Sequence, residues 1–189
     1  GRVGRNFAFE GTDIKPDILT LSKTLGAGVP LAATVTSREI EEDCYSKGFS
    51  YYTSHLNDPM PLEVGLSVLE VLKDEKLAER AREMGPHLMS GLKELKDRHE
   101  AIGDVRGVGL FIGVEFVKDR ETKEPAPVFL KRLLNRTLEL GLNLIPASAE
   151  GISAVRLAPP LIVTKNQADS ALAILDQALS DCASDLKAS

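Results

Sequence analysis

The chain has 189 residues, 43% hydrophobic and 27% charged, a globular composition with enough apolar material for a real core and no sign of disorder. A formal net charge of −5 at pH 7 and 5% aromatic residues with no Trp give neither electrostatic footing nor a stacking platform for nucleic acid. No apolar run approaches the ~20 residues of a bilayer-spanning helix, and GRVGRNFAFEG lacks the apolar core of a signal peptide, so a membrane partner is also excluded and a cytoplasmic location is expected.

The chain opens on Gly1 without Met, in sequence that already reads as the inside of a domain, so a preceding segment is expected. Asp17 to Ser22, DILTLS, is a short apolar run between turn signals and predicts a buried strand with Lys23 at its carboxyl end, the end where α/β enzymes keep their ligands. TLGAGVP then predicts a tight loop, LAATVTS a second strand, and Ser37 the cap of an acidic helix REIEEDCYS. From Pro59 to about Lys73, Leu62, Leu66, Leu69 and Leu72 with Val64, Val68 and Val71 predict a largely buried helix. Asp74 is expected to open the next helix. That helix runs to about Arg98, with Leu77, Ala81, Met84, Leu88, Leu92 and Leu95 on one face and a solvated charge run on the other.

After His99 the glycine-rich, β-branched segment IGDVRGVGLFIGVEFV predicts sheet and a boundary near residue 100. A helix around Val128 to Leu140, a strand LNLI, a glycine-containing loop, a strand AVRLAPP and a helix from Thr164 to about Leu186 follow. The order is α+β, with helices on one face of a sheet. Cys44 and Cys182 are far apart in sequence and read as reduced thiols.

Taken on its residues alone, Lys23 admits two readings. A lysine at the end of a buried strand loses solvation, favours the neutral amine and becomes a nucleophile toward an aldehyde, and the glycines after it let backbone approach a ring or phosphate. The same residues also describe a surface lysine beside a turn. Thr53 and Ser54 hydroxyls, the Asp58 carboxylate and loop carbonyls in YYTSHLNDP form an oxygen-rich set of the kind hard cations prefer, or simply a polar loop with Asp58 as helix cap. His87 and His99 have no ligand-like spacing, and GVGLFIG opens no helix as a dinucleotide fingerprint must.

PDILTLSKTLGAGVPLAATVTS resembles the cofactor-lysine segment of class III aminotransferases, and the likeness continues through YYTSHLNDP, IGDVRGVGLFIGVEFVKDRETKEPA and VRLAPPL. Within that class the segments look most like 2,2-dialkylglycine decarboxylase. The resemblance implies the α/β fold of a fold-type I pyridoxal-phosphate transferase, of which this chain is the C-terminal part. Residues 1–99 would close the large cofactor domain and residues 100–189 would form the small α+β domain.

The same resemblance implies that Lys23 holds pyridoxal 5′-phosphate as a Schiff base and moves protons, and that Arg156 receives the substrate carboxylate. It further implies that the hydroxyls of Thr53 and Ser54 meet the cofactor phosphate of a neighbouring subunit in a homodimer with shared active sites. Ser54, the Leu56 carbonyl and Asp58 would hold K+ or Na+, although Ser54 stands where the family has Thr. Arg106 and His55 are assigned to structure. The expected substrates are an amino acid and a 2-oxo acid, in decarboxylation coupled to transamination or in plain transamination; a non-catalytic dimerisation scaffold is the third reading. The acid facing the pyridine nitrogen, the phosphate turn and the stacked aromatic are expected upstream of Gly1, so this chain is expected to be inactive by itself.

Overall fold

The computed structural model describes residues 1–147 and 151–186. Packing divides the chain into two compact units, Ala8–Lys76 and a second made of Gly1–Phe7 with the residues from Leu77 onward.

In the first unit, β1 (Ile18–Leu21) pairs antiparallel with β2 (Ala33–Thr36), in register Ile18 to Thr36 and Leu21 to Ala33. The connection begins with a 3₁₀ turn at Lys23–Gly26. Helix α1 (Arg38–Ser46) starts where expected, because the Ser37 hydroxyl accepts from the Ile40 N–H at 3.3 Å and relieves an orphan donor of the first turn. Helix α2 spans Pro59–Asp74.

Two burial expectations fail here. β1 is not buried: Ile18 is 56% exposed, because among the described residues only β2 flanks the strand and a two-stranded ribbon has open faces. Nor is α2 largely buried, since Gly65 is its one buried residue while Leu62, Leu66, Leu69 and Val71 are exposed. Within this unit the 3₁₀ turn packs on the helix, and an added Cβ at Gly65 would lie 2.6 Å from Leu31 Cδ2. Asp74 ends α2 instead of opening the next helix. The break falls at Lys76, whose left-handed backbone (φ 51°) turns the chain in a way a continuing helix forbids.

The second unit holds α3 (Leu77–Arg98), the hairpin β3 (Ile102–Val108) and β4 (Phe111–Phe116), α4 (Pro127–Glu139), the short β5 (Ile145–Pro146), β6 (Ala154–Leu157) and α5 (Lys165–Asp181). Its antiparallel sheet runs β3-β4-β6-β5. Alternation in β4 sends Ile112, Val114 and Phe116 into the core, where they join Leu88, Leu92 and Leu95 of α3, Phe129 and Leu133 of α4, and Leu175 and Leu179 of α5. Each such side chain contributes about 2 kcal/mol by leaving water. The Phe116 and Phe129 rings meet tilted at 6.0 Å, a favoured aromatic geometry. Phe111, Gly113 and Glu115 stay on the opposite face, so the helices cover one side of the sheet as the sequence predicts.

α3 packs against β3 and α5, which places it in this unit; the sequence boundary near residue 100 marks where the sheet begins. LNLI is shorter as a strand than expected, with only Ile145 of it paired. The residues before it terminate α4: Gly141 (φ 95°) donates to Leu138 O at 3.0 Å and Leu142 N–H to Thr137 O at 2.8 Å, the paired bonds of a Schellman ending. Thr164 caps α5 in a capping box with Gln167, as its position predicts.

One backbone junction fixes the turn of the β3–β4 hairpin. Gly109 (φ 58°) is the first of two loop residues between Val108 and Phe111, where a type II′ turn needs positive φ. A Cβ on Gly85 of α3 would lie 2.6 Å from Gly109 O, and one on Gly109 would lie 2.6 Å from Arg2 O. Helix, turn and N-terminal segment therefore stack backbone on backbone, and the Leu110 N–H donates to Arg2 O at 2.8 Å.

Candidate active-site residues

Lys23 stands one residue beyond β1, after Ser22, as the first residue of the 3₁₀ turn, with φ 58°. Left-handed backbone at a residue with a Cβ costs about 1–2 kcal/mol and persists only where surroundings over-determine it. Here the turn is fixed by Leu25 N–H to Ser22 O at 3.3 Å and Ala27 N–H to Thr24 O at 3.1 Å, and by the Leu31–Gly65 contact. Lys23 is exposed, in contrast to the desolvated setting expected of it, because β1 itself is uncovered. Among the described residues its ammonium has no carboxylate partner. The unusual backbone escapes a sequence reading, since lysine carries no signal for left-handed conformation.

Thr53, Ser54, Leu56 and Asp58 lie in the turn before α2. The Thr53 hydroxyl accepts from the His55 N–H at 3.3 Å and the Leu56 N–H donates to Thr53 O at 3.1 Å. Asp58 is at the helix cap position but makes no side-chain capping bond; Pro59 and Pro61 remove two of the first-turn N–H groups. Its carboxylate pairs with His55 Nδ1 at 2.8 Å instead. His55 is thus engaged with the helix-cap residue of α2.

On the uncovered face of the second unit's sheet, Arg106 of β3 and Arg156 of β6 stand on either side of Gly113 of β4 in one cross-strand row. The two arginines differ in their partners. Arg106 donates to Asp104 and Glu115, each at 2.8 Å, and its guanidinium holds the Asp104 carboxyl below the usual range. Arg156 is exposed and has no carboxylate partner among the described residues.

A third arginine, which sequence reasoning missed, lies nearby. Arg2 donates from one guanidinium nitrogen to Pro159 O at 2.6 Å and, at 3.5 Å, to Leu110 O. Its proton affinity is lowered by burial and then by the Arg156 charge. His87 pairs with Asp169 at 2.5 Å and His99 with Asp176 at 2.6 Å. The first joins α3 to α5 and the second joins the residue after α3 to α5, so each histidine has its own carboxylate partner. Among the described residues no group of three or more His, Cys, Asp and Glu could hold a metal ion, and no helix is long and apolar enough to cross a membrane.

Lys23 in the first unit and Arg156 in the second are thus each exposed and without a carboxylate partner among the described residues. The chain belongs to the class-III aminotransferase family, whose model matches residues 1–179. It is 45% identical, over its full length, to an uncharacterised aminotransferase of Schizosaccharomyces pombe and covers 42% of that protein. It is 40% identical over 96% of its length to a leucine/methionine racemase of Thermococcus litoralis, of which it spans 40%. Among solved structures it matches a Bacillus anthracis aminotransferase with a TM-score of 0.89 and 34% identity, over 95% of this chain and 42% of that one. The chain thus spans about two fifths of the length of these relatives and has the fold of the C-terminal part of a fold-type I pyridoxal-phosphate-dependent transferase. Enzymes of this family depend on pyridoxal 5′-phosphate and act on amino and oxo acids.

Proposed function

We propose that the whole protein transfers an amino group from an amino acid to a 2-oxo acid, with Lys23 as the cofactor lysine and Arg156 as the carboxylate receptor. The observation that carries this reading is the contrast within one sheet row: Arg106 is held by two carboxylates, whereas Arg156 keeps its planar fork available for both oxygens of a substrate carboxylate. When bound, pyridoxal 5′-phosphate supplies the electron sink for the carbanion left at the substrate α-carbon.

Lys23 fits that group through an exposed amine free of any carboxylate among the described residues, and it would hold the cofactor and carry the proton at the substrate carbon. The Thr53 and Ser54 hydroxyls would donate to the cofactor phosphate across a homodimer interface. Residues 1–99 would complete the large domain and residues 100–189 would make the small one. The experiment is substitution in the full-length protein: Lys23→Ala abolishes cofactor retention and transamination, and Arg156→Gln raises KM for the amino acid with less effect on kcat. Full activity in Lys23→Ala rejects the assignment, and cofactor-free wild-type protein favours a scaffold.

A second reading, decarboxylation of 2,2-dialkylglycines, is favoured by the oxygen-rich Ser54–Asp58 loop. A hydroxyl, the Leu56 carbonyl and a carboxylate suit K+ or Na+, and Asp58 would exchange His55 for the ion. Carbon dioxide released from 2-aminoisobutyrate with pyruvate, and dependent on the alkali cation, selects this reading. Racemisation with no oxo acid consumed selects the chemistry named for the Thermococcus relative.

A further inference from the structure

We infer that Arg2 is a positioning residue for the carboxylate receptor: it ties the end of β6 to the β3–β4 turn and sets a second positive charge beside Arg156 that strengthens carboxylate binding there. The inference rests on the reading of Arg156 given above and deepens it.

The geometry comes from both halves of Arg2. Its backbone carbonyl accepts from Leu110 N–H at 2.8 Å, and the Gly85–Gly109 junction leaves no room for the turn to drift. Its guanidinium donates to Pro159 O at 2.6 Å, three residues beyond Arg156, in a stretch stiffened by Pro159 and Pro160. One side chain thus holds the segment that leaves the strand just after Arg156, while Nε and the second terminal nitrogen of its own fork stay uncommitted to that carbonyl.

The electrostatics point the same way. Arg2 is half-buried, and among the described residues it has no carboxylate partner although Arg156 is close enough to disfavour its charge. A partly desolvated cation is normally paired. With Arg2 anchored at Pro159 O, three residues from Arg156, a bound carboxylate would relieve both charges, since the sheet's own carboxylates at Asp104 and Glu115 are engaged with Arg106.

The test uses the full-length holoenzyme and propionate as the carboxylate probe, with binding followed by titration calorimetry. Arg2→Gln keeps a donor for Pro159 O but removes the charge, and is expected to weaken propionate about five- to tenfold at low salt, a difference that shrinks as KCl approaches ~0.5 M. Arg2→Lys keeps the charge and is expected to bind within about twofold of wild type. Arg156→Gln is expected to lose binding. Wild-type affinity in Arg2→Gln, with binding lost in Arg156→Gln, overturns the inference alone. Unchanged binding in Arg156→Gln overturns the reading beneath it. Should Arg2→Gln not fold, Arg2→His provides the same measurement, because its imidazole discharges between about pH 6 and pH 8. Its affinity relative to wild type should fall over that range, and a flat ratio refutes the inference.

Discussion

Two glycines of α3 distinguish helix propensity from close approach. By propensity alone, Gly→Ala inside a helix stabilises by about 1 kcal/mol. At Gly85 the new methyl would lie 2.6 Å from Gly109 O and 2.7 Å from Gly109 C and Cα. These are backbone atoms already held by the Leu110–Arg2 bond, so the clash cannot be relieved by a side-chain rotation. Overpacking of this kind costs about 1–3 kcal/mol, and contact with fixed backbone puts the value at the upper end. The expected net effect of Gly85→Ala is a destabilisation of about 1–2 kcal/mol, the clash less the propensity gain.

At Gly91 in the same helix, the methyl would meet the tips of Leu172, a partly buried side chain on α5 that can change rotamer. Gly91→Ala should therefore lie within about 0.5 kcal/mol of wild type, with the propensity gain offsetting the rearrangement. Urea unfolding of the two variants, followed by far-ultraviolet circular dichroism, gives both values. A Gly85→Ala protein as stable as Gly91→Ala would refute the backbone-stacking argument and, with it, the rigidity ascribed to the turn that anchors Arg2.

The remaining predictions concern single contacts. Thr164→Ala should lower stability by about 1 kcal/mol through loss of the capping box at α5, measurable as an unchanged unfolding slope with a lower urea midpoint. Asp176 is held below its ordinary carboxyl pKa of 3.8, first by hydrogen bonding to His99 and then by Arg98. Its contribution is therefore complete above about pH 4 and lost as pH falls through the lowered value. The gap in urea midpoint between wild type and Asp176→Asn should accordingly be full at pH 7 and narrow by pH 3, and a constant gap would count against the pairing. Arg106→Leu leaves the Asp104 and Glu115 carboxylates adjacent with only Lys96, 3.9 Å from Asp104, to offset them, so its thermal midpoint should rise with added salt more steeply than that of wild type.

Local chemistry was legible in the sequence and environment was not. Ser37 and Thr164 announce their helices because a cap needs only its own next three residues, and the alternation of Ile112, Val114 and Phe116 reads directly as one buried face. The strand DILTLS was equally plain, yet its burial was not, since an apolar run reports what a strand can bury and not what covers it. The helix break at Lys76 lacked a glycine or proline to mark it, and Asp74 looked like a cap. The family was legible through the motifs around Lys23 and Arg156. Arg2 was not, because its partners lie 108 and 157 residues away and nothing in GRVGR points to them.

The left-handed backbone at Lys23 has a thermodynamic corollary. At φ 58° glycine is the residue that position would choose for stability, by about 1 kcal/mol over one bearing a Cβ. Under the role proposed for Lys23, stability and function ask for different residues at this one position. Lys23→Gly should melt later than Lys23→Ala, both stripped of the amine, and the difference between the two would measure what a Cβ costs there.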